Sequence, residues 1–298
     1  QTIQPEISKS SLEVTFDLPL QTEGLQQFRI EVPALTDEWT TANNVQRFSI
    51  DVKDAKQQIL SIAFEVHPDV KLVRSLLLTD ENTQLTSRTW LRGDQFIEGT
   101  FSFDHDTVDL AIIHGYPRSG LSGPLQQQMK ALAANVPLIV EATPLFSPQQ
   151  FEQQISPLPL SVTGQWEPVS VSLNPEVDVT AHPIMELPTV TYDRIPTISA
   201  PIENLDNAPG ATKLFSSSYQ GNDTQKPVLT VQELGNKRQS FFSGFGWFRL
   251  DQDDNEQVRE FAQQLWLNVI SWTATDPDNQ LLNVQPAQTS FGGSDPVI

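Results

Sequence analysis

The spacing of hydrophobic residues changes character near residue 55. Before it, Leu12, Val14, Phe16 and Leu18 alternate with Glu13, Thr15 and Asp17, and the same period of two recurs at Phe28, Ile30, Val32 and at Phe48, Ile50, Val52. This alternation predicts three half-buried strands, separated by Gly24 and by the polar run 40–44. Three strands leave one face and both edges uncovered, so residues 1–53 read as a fragment of a β-sandwich. From Lys56 onward, strands and helices alternate. Residues 59–64 form an apolar strand, and His67-Pro68-Asp69 opens a helix with Val70, Val73, Leu76 and Leu77 on one face. Pro68 and Asp69 suit a first turn, where a missing N–H costs nothing and a carboxylate meets the positive end of the dipole. Strands follow at 83–90 and 108–113, then a helical stripe of Leu121, Leu125, Met129 and Leu132, then a strand at 137–141.

The rhythm predicts an α/β domain with a mostly parallel sheet flanked by helices, of flavodoxin-like type. Residues 157–240 carry short alternating runs and many prolines and read as strands and long loops decorating that domain. Residues 240–248 form a strand breaking into a glycine-hinged turn. The strongest helix comes next, with Val258, Phe261, Ala262, Leu265, Val269 and Ile270 at helical spacing. The expected division is 1–53, 54–275 and 276–298, with both ends read as continuing into a longer protein.

Charge and composition narrow the classes. Thirty-seven acidic residues against 18 basic ones give a net charge of −19. A nucleic-acid binder needs clustered Lys and Arg to neutralise phosphates, and the same charge disfavours anionic membrane surfaces. Solubility is the plainest use of the acidity. With no cysteine, the chain has no disulfide, thiolate metal site or cysteine nucleophile. It has no apolar run long enough for a membrane helix, and its first residues do not read as a signal peptide.

The chemistry concentrates at strand ends. Residues 136–144 form an apolar strand running into a tight turn, the place where α/β enzymes hold a Ser or Cys nucleophile; here the turn offers Ala142, Thr143 and Pro144. His67 lies beyond a strand's carboxyl end, where open sheets bind ligands. Asp69 beside it suits a general base or cation ligand, and a helix cap explains both equally. His114 and Glu141 end two further strands and can form an acid/base pair or simply pack. His182 suits a turn. Asp104, His105 and Asp106 supply only one side of a metal site. Asp251, Asp253 and Asp254 lack the glycine and distant glutamate of a calcium loop, and the glycine-rich 119–123 lacks a phosphate-binding lysine. No metal or cofactor is called for. Alternation through Phe241, Phe242, Phe245, Trp247 and Phe248 sends some rings outward, making Phe245, Trp247 and Phe248 a candidate contact surface.

Four segments together resemble the class I glutamine amidotransferase-like domain, in the divergent form found in large bacterial membrane-anchored proteins with von Willebrand A-type and immunoglobulin-like domains. Asp37-Glu38, Asn43-Asn44 and 48–52 are similar to the last strands of the preceding immunoglobulin-like module. Residues 59–64 with 67–70 resemble the first strand and helix, 109–114 with 137–144 the strands around the elbow, and 244–249 with the helix reaching Trp272 the closing unit. Residues 290–297 resemble the entry to a further β-domain. Active members carry a Cys at the elbow, a His near the last strand and an acid two residues after it. Here the elbow falls near Ala142, and the late loop carries Gly246 and Trp247, with no histidine after His182. The resemblance thus implies a non-catalytic domain of a larger protein on the periplasmic or extracellular side of a bacterial membrane. Its partners would be other protein domains, within the same polypeptide or a membrane complex, with no membrane insertion by this segment. The rival expectation is a hydrolase or small-molecule (sugar) binding domain using a crevice with His67, His114 and Glu141.

Overall fold

The computed structural model describes residues 24–31, 44–52, 56–101, 103, 107–116, 119–147 and 158–277. The expected strand at 12–18, the Asp104–Asp106 triplet and the segment beyond 277 lie outside them. Contacts divide the chain into one unit of Gln1–Ala55 with Asn283–Ile298 and a second of Lys56–Leu282. In the first, β1 (Gly24–Glu31) and β2 (Val45–Val52) pair antiparallel in unbroken register.

The second unit runs β3 (Gln57–Ala63), α1 (Pro68–Thr79), β4 (Thr83–Arg92), β5 (Gln95–Phe96), β6 (Gly99–Thr100), β7 (Leu110–His114), α2 (Gly123–Asn135) and β8 (Leu138–Glu141). It continues with β9 (Leu160–Val162), β10 (Pro168–Pro175), β11 (Ile198–Pro201), β12 (Leu205–Asn207), β13 (Thr212–Tyr219), β14 (Asn222–Leu234) and β15 (Lys237–Phe242). Two helices close it, α3 (Phe248–Asp251) and α4 (Glu256–Ala274). Eleven strands form one sheet in the order β11-β10-β13-β14-β15-β8-β7-β3-β4-β5-β6, and β9 pairs with β12 separately.

The centre is doubly wound. Strands β4-β3-β7-β8-β15 are all parallel neighbours, and their order reverses at β3/β7. Side-chain alternation sorts the core into two layers. Ile59, Leu110, Ile112, Ile139 and Phe242 face α1 and α4, whereas Leu60, Ile62, Ala111, Ile113, Val140 and Phe241 face α2. β7 and β8 are buried along their whole length, and β3 and β15 over their last residues, as helix-covered parallel strands must be, whereas β4 is only partly covered. His67 caps α1, Ser122 caps α2 and Asn255 caps α4, each accepting from a first-turn N–H.

The expectation of a mostly parallel sheet is corrected: six of the ten pairings are antiparallel, four beyond β15 and two beyond β4. The physical reason lies in the connections, since a parallel neighbour needs a crossover of a dozen residues or more. Here β13 turns into β14 through Gln220-Gly221, and β14 into β15 through Gly235-Asn236, with positive φ at Gln220, Gly221 and Gly235. Two-residue loops of this kind force antiparallel hairpins. The segment read as decoration is therefore half of the sheet.

The antiparallel flank curls back on itself. Ser199 of β11 and Phe245, just past β15, exchange both backbone hydrogen bonds at 2.9 Å. Gly244 sits inside this closure, where an added Cβ would lie 2.6 Å from Ile198 Cδ1 and 3.2 Å from Val228 Cγ1. Gly244→Ala is expected to lower the free energy of unfolding by about 1–3 kcal/mol, the cost of overpacking a filled core, measured by urea denaturation against wild type.

Candidate functional site

The carboxyl ends of the parallel strands bring the candidate residues together. His114 and Glu141 are register partners at the ends of β7 and β8, so both side chains leave the sheet on the α1/α4 face. His114 Nδ1 stands 2.5 Å from Glu141 Oε2, and both side chains are completely buried. Asp69, the second residue of α1, is equally buried. Its Oδ2 accepts from Gly246 N–H at 2.5 Å and its Oδ1 from Phe248 N–H at 2.7 Å. His67 Nδ1 accepts from Asp69 N–H at 3.3 Å, and its ring meets Phe245 and Phe248 edge-on.

Protonation follows from this geometry. Burial alone would raise the Asp69 carboxyl, but hydrogen bonds to His67 and Glu141, the His67 charge and Gly246 N–H outweigh it and hold it below its ordinary value. Glu141 is pushed well above its usual range by burial, by the Asp69 charge and by the hydrogen bond with Asp69. Burial also lowers His114, to about 3, against an opposing pull from Asp69 and with smaller pushes from Arg74 and His67. Near neutrality Asp69 is therefore ionised while Glu141 and His114 are held neutral, with His114 Nδ1 against Glu141 Oε2. Glu141 Oε1 and His114 Nε2 are both buried and have no hydrogen-bond partner among the described residues.

A second polar contact lies across the point where strand order reverses. Glu65, just after β3, takes Thr143 Oγ1–H on its Oε2, and Leu145 N–H reaches the same oxygen at 3.4 Å. Gly115 lies between them in the left-handed region at φ +69°, and an added Cβ would fall 2.8 Å from Thr143 Oγ1 and 3.0 Å from Glu65 Cβ. The crevice where doubly wound sheets bind ligands is thus filled by the protein's own groups. Ala142 is fully buried on the α2 side, its N–H bonded to Phe242 O. The tight turn expected after β8 is present, closed by Phe146 N–H to Thr143 O.

The candidate contact surface is also corrected. Trp247 is fully buried and Phe245 nearly so, with only Phe248 half-exposed. The Ser199–Phe245 bridge and the packing of Trp247 edge-on against Phe242 turn these rings inward. The side residues have structural partners: His182 accepts from Ile184 N–H and packs on Trp272, while Asp251 and Asp253 bond Gln263 and Asn255. Sequence reasoning missed Glu65 and the Gly246 and Phe248 amides. Glu65 carries one legible signal, its place directly after an apolar strand.

The unit is an α/β domain with a doubly wound parallel centre and an antiparallel flank. No family model matches the chain, and no curated protein matches it in sequence. Among solved structures, it is similar to a ThuA-like protein from Parabacteroides merdae, with a TM-score of 0.47 and 11% identity over 74% of this chain and 90% of that one. A GMP synthase component from Thermoplasma acidophilum gives 0.39 and 10% over 73% and 96%. A carbohydrate deacetylase gives 0.43 and 13% over 74% of this chain and 32% of its own.

Two outcomes are expected here. Asp69→Ala strands the Gly246 and Phe248 amides and should cost about 3 kcal/mol or more, read from chemical denaturation. His114 is neutral when folded but takes a proton near its ordinary value when unfolded, so acid favours the unfolded chain as pH falls from about 6.5 toward 3. Melting temperature should therefore fall less steeply across that window in His114→Gln than in wild type.

Proposed function

We propose that the Lys56–Leu282 unit is a non-catalytic amidotransferase-like domain that works by contact with other protein domains in a larger extracytoplasmic, membrane-anchored protein. The observation that carries this reading is the filled crevice: Glu65 and Thr143 bridge the strand ends over Gly115. Hydrolysis needs a nucleophile, a base within reach and space for the substrate. Ala142 offers no nucleophile and points into the core, and Thr143 is buried against Glu65. The rival hydrolase or sugar-binding reading draws on the 2.5 Å His114–Glu141 contact. That pair is fully buried, and burial together with the Asp69 charge keeps Glu141 protonated and so unfit as a base. A contact role gains support from Val66, Leu78, Leu91 and Ile97, all more than half exposed, on α1, on β4 and in the turns after β3 and β5. Among the described residues, no helix is long and apolar enough to cross a membrane.

Purified protein offered a panel of amides, esters and acetylated sugars should show no turnover above that of Thr143→Ala and His114→Gln. Turnover in wild type that either substitution abolishes would overturn the reading.

A further inference from the structure

We propose that a groove along α1 binds a small aliphatic carboxylate. This goes beyond the contact role and stands whether or not the crevice is silent, because the groove is a separate hollow on the β4 side of α1, with only Glu65 shared between the two.

A hollow of about 470 Å³ lies between α1 and the β4–β5 hairpin, within the range of small-ligand sites. His67, Lys71 and Ser75 all line it. Four residues apart on one helix, they stand in a row. Lys71 Nζ and Ser75 Oγ make no hydrogen bond to any described residue. His67 turns Nδ1 toward Asp69, and its Nε2 has no hydrogen-bond partner among the described residues. Beside this row of donors the walls are aliphatic: Val66, Leu78 and Ile97 are 86%, 73% and 63% exposed.

Charge selects the head group. Lys71 and Arg74 line the groove against a single carboxylate, Glu65, whose Oε2 is taken by Thr143 and Leu145. Arg74 is fixed on the floor by Ser61, Thr89 and the Arg88 carbonyl; its nearest carboxylate, Glu98 at 3.9 Å, is itself bonded to Thr89. With Arg74 paired to Glu98, Lys71 is the lining cation that has no ion pair among the described residues, and it is the group that would meet an anionic head there. From His67 to Leu78 the helix rises about 16 Å, room for a head group followed by an alkyl chain.

The adjoining strand edge decides between an alkyl chain and a peptide. Thr89 N–H is bonded to Glu98 and Thr89 O to Ile97 N–H, so a peptide laid along that wall would lose water from its amides without gaining partners there. An alkyl chain has no such groups.

The test is calorimetric titration of the full chain with decanoate below its micelle concentration, with decylammonium and an apolar tetrapeptide with a free carboxyl end as comparisons. Decanoate should bind saturably at one site, at least tenfold more weakly to Lys71→Glu, with near wild-type affinity to Lys71→Arg and not at all to Ile97→Asp. Both positions are exposed, and circular dichroism checks that the variants fold. Equal binding of decylammonium, unchanged affinity in Lys71→Glu and Ile97→Asp, no binding of decanoate, or capture of the tetrapeptide alone would each overturn the proposal.

Discussion

A single buried carboxylate, that of Asp69, holds the carboxyl-end face of the domain together. It stands on the first turn of α1, accepts the amides of Gly246 and Phe248 from the segment leaving β15, and meets Glu141 at the end of β8. An ionised group in a dry interior is expensive unless hydrogen bonds surround it. Asp69 is surrounded by backbone amides, by the His67 ring and by the Glu141 carboxyl. Burial, helped at Glu141 by the Asp69 charge, keeps Glu141 protonated, and burial keeps His114 neutral against the pull of Asp69, so three titratable groups carry one negative charge.

That order gives the site its character. Enzymes place groups of displaced pKa where substrate can reach them; here the displaced groups lie beneath α1 and α4 with no exposed atom. The ends of β3, β7 and β8, which doubly wound sheets leave open for ligands, are joined by Glu65 and Thr143 across a glycine that has no side chain to separate them. Open space and unused donors lie beside them, between α1 and the β4–β5 hairpin.

Much of the central scaffold was legible from periodicity. The strands at β3, β4, β7 and β8 and the helices α1, α2 and α4 lie where apolar spacing put them, because each packs one clean face or two. The flank was not legible as sheet, since short runs with many prolines do not reveal that two-residue turns will lay them edge to edge onto β15. The outward reading of Phe245 and Trp247 failed for a related reason: alternation assumes one solvated face, and the return of β11 covers it. Adjacency of His114 and Glu141 followed from equivalent positions on successive strands. The Asp69 contacts reach residues 177 and 179 positions away, and no local pattern encodes a partner at that distance.

The return of β11 onto Phe245 also bears on how molecules of this protein meet. An unpaired strand edge is a template for strand addition between chains. On this side the terminal strand is only four residues long and Ser199, in its middle, already exchanges both backbone bonds with Phe245; on the other side the sheet ends in the two-residue β6. Among the described residues the eleven-stranded sheet is blunted at both margins, which makes its own end strands poorly suited to growth by β-augmentation.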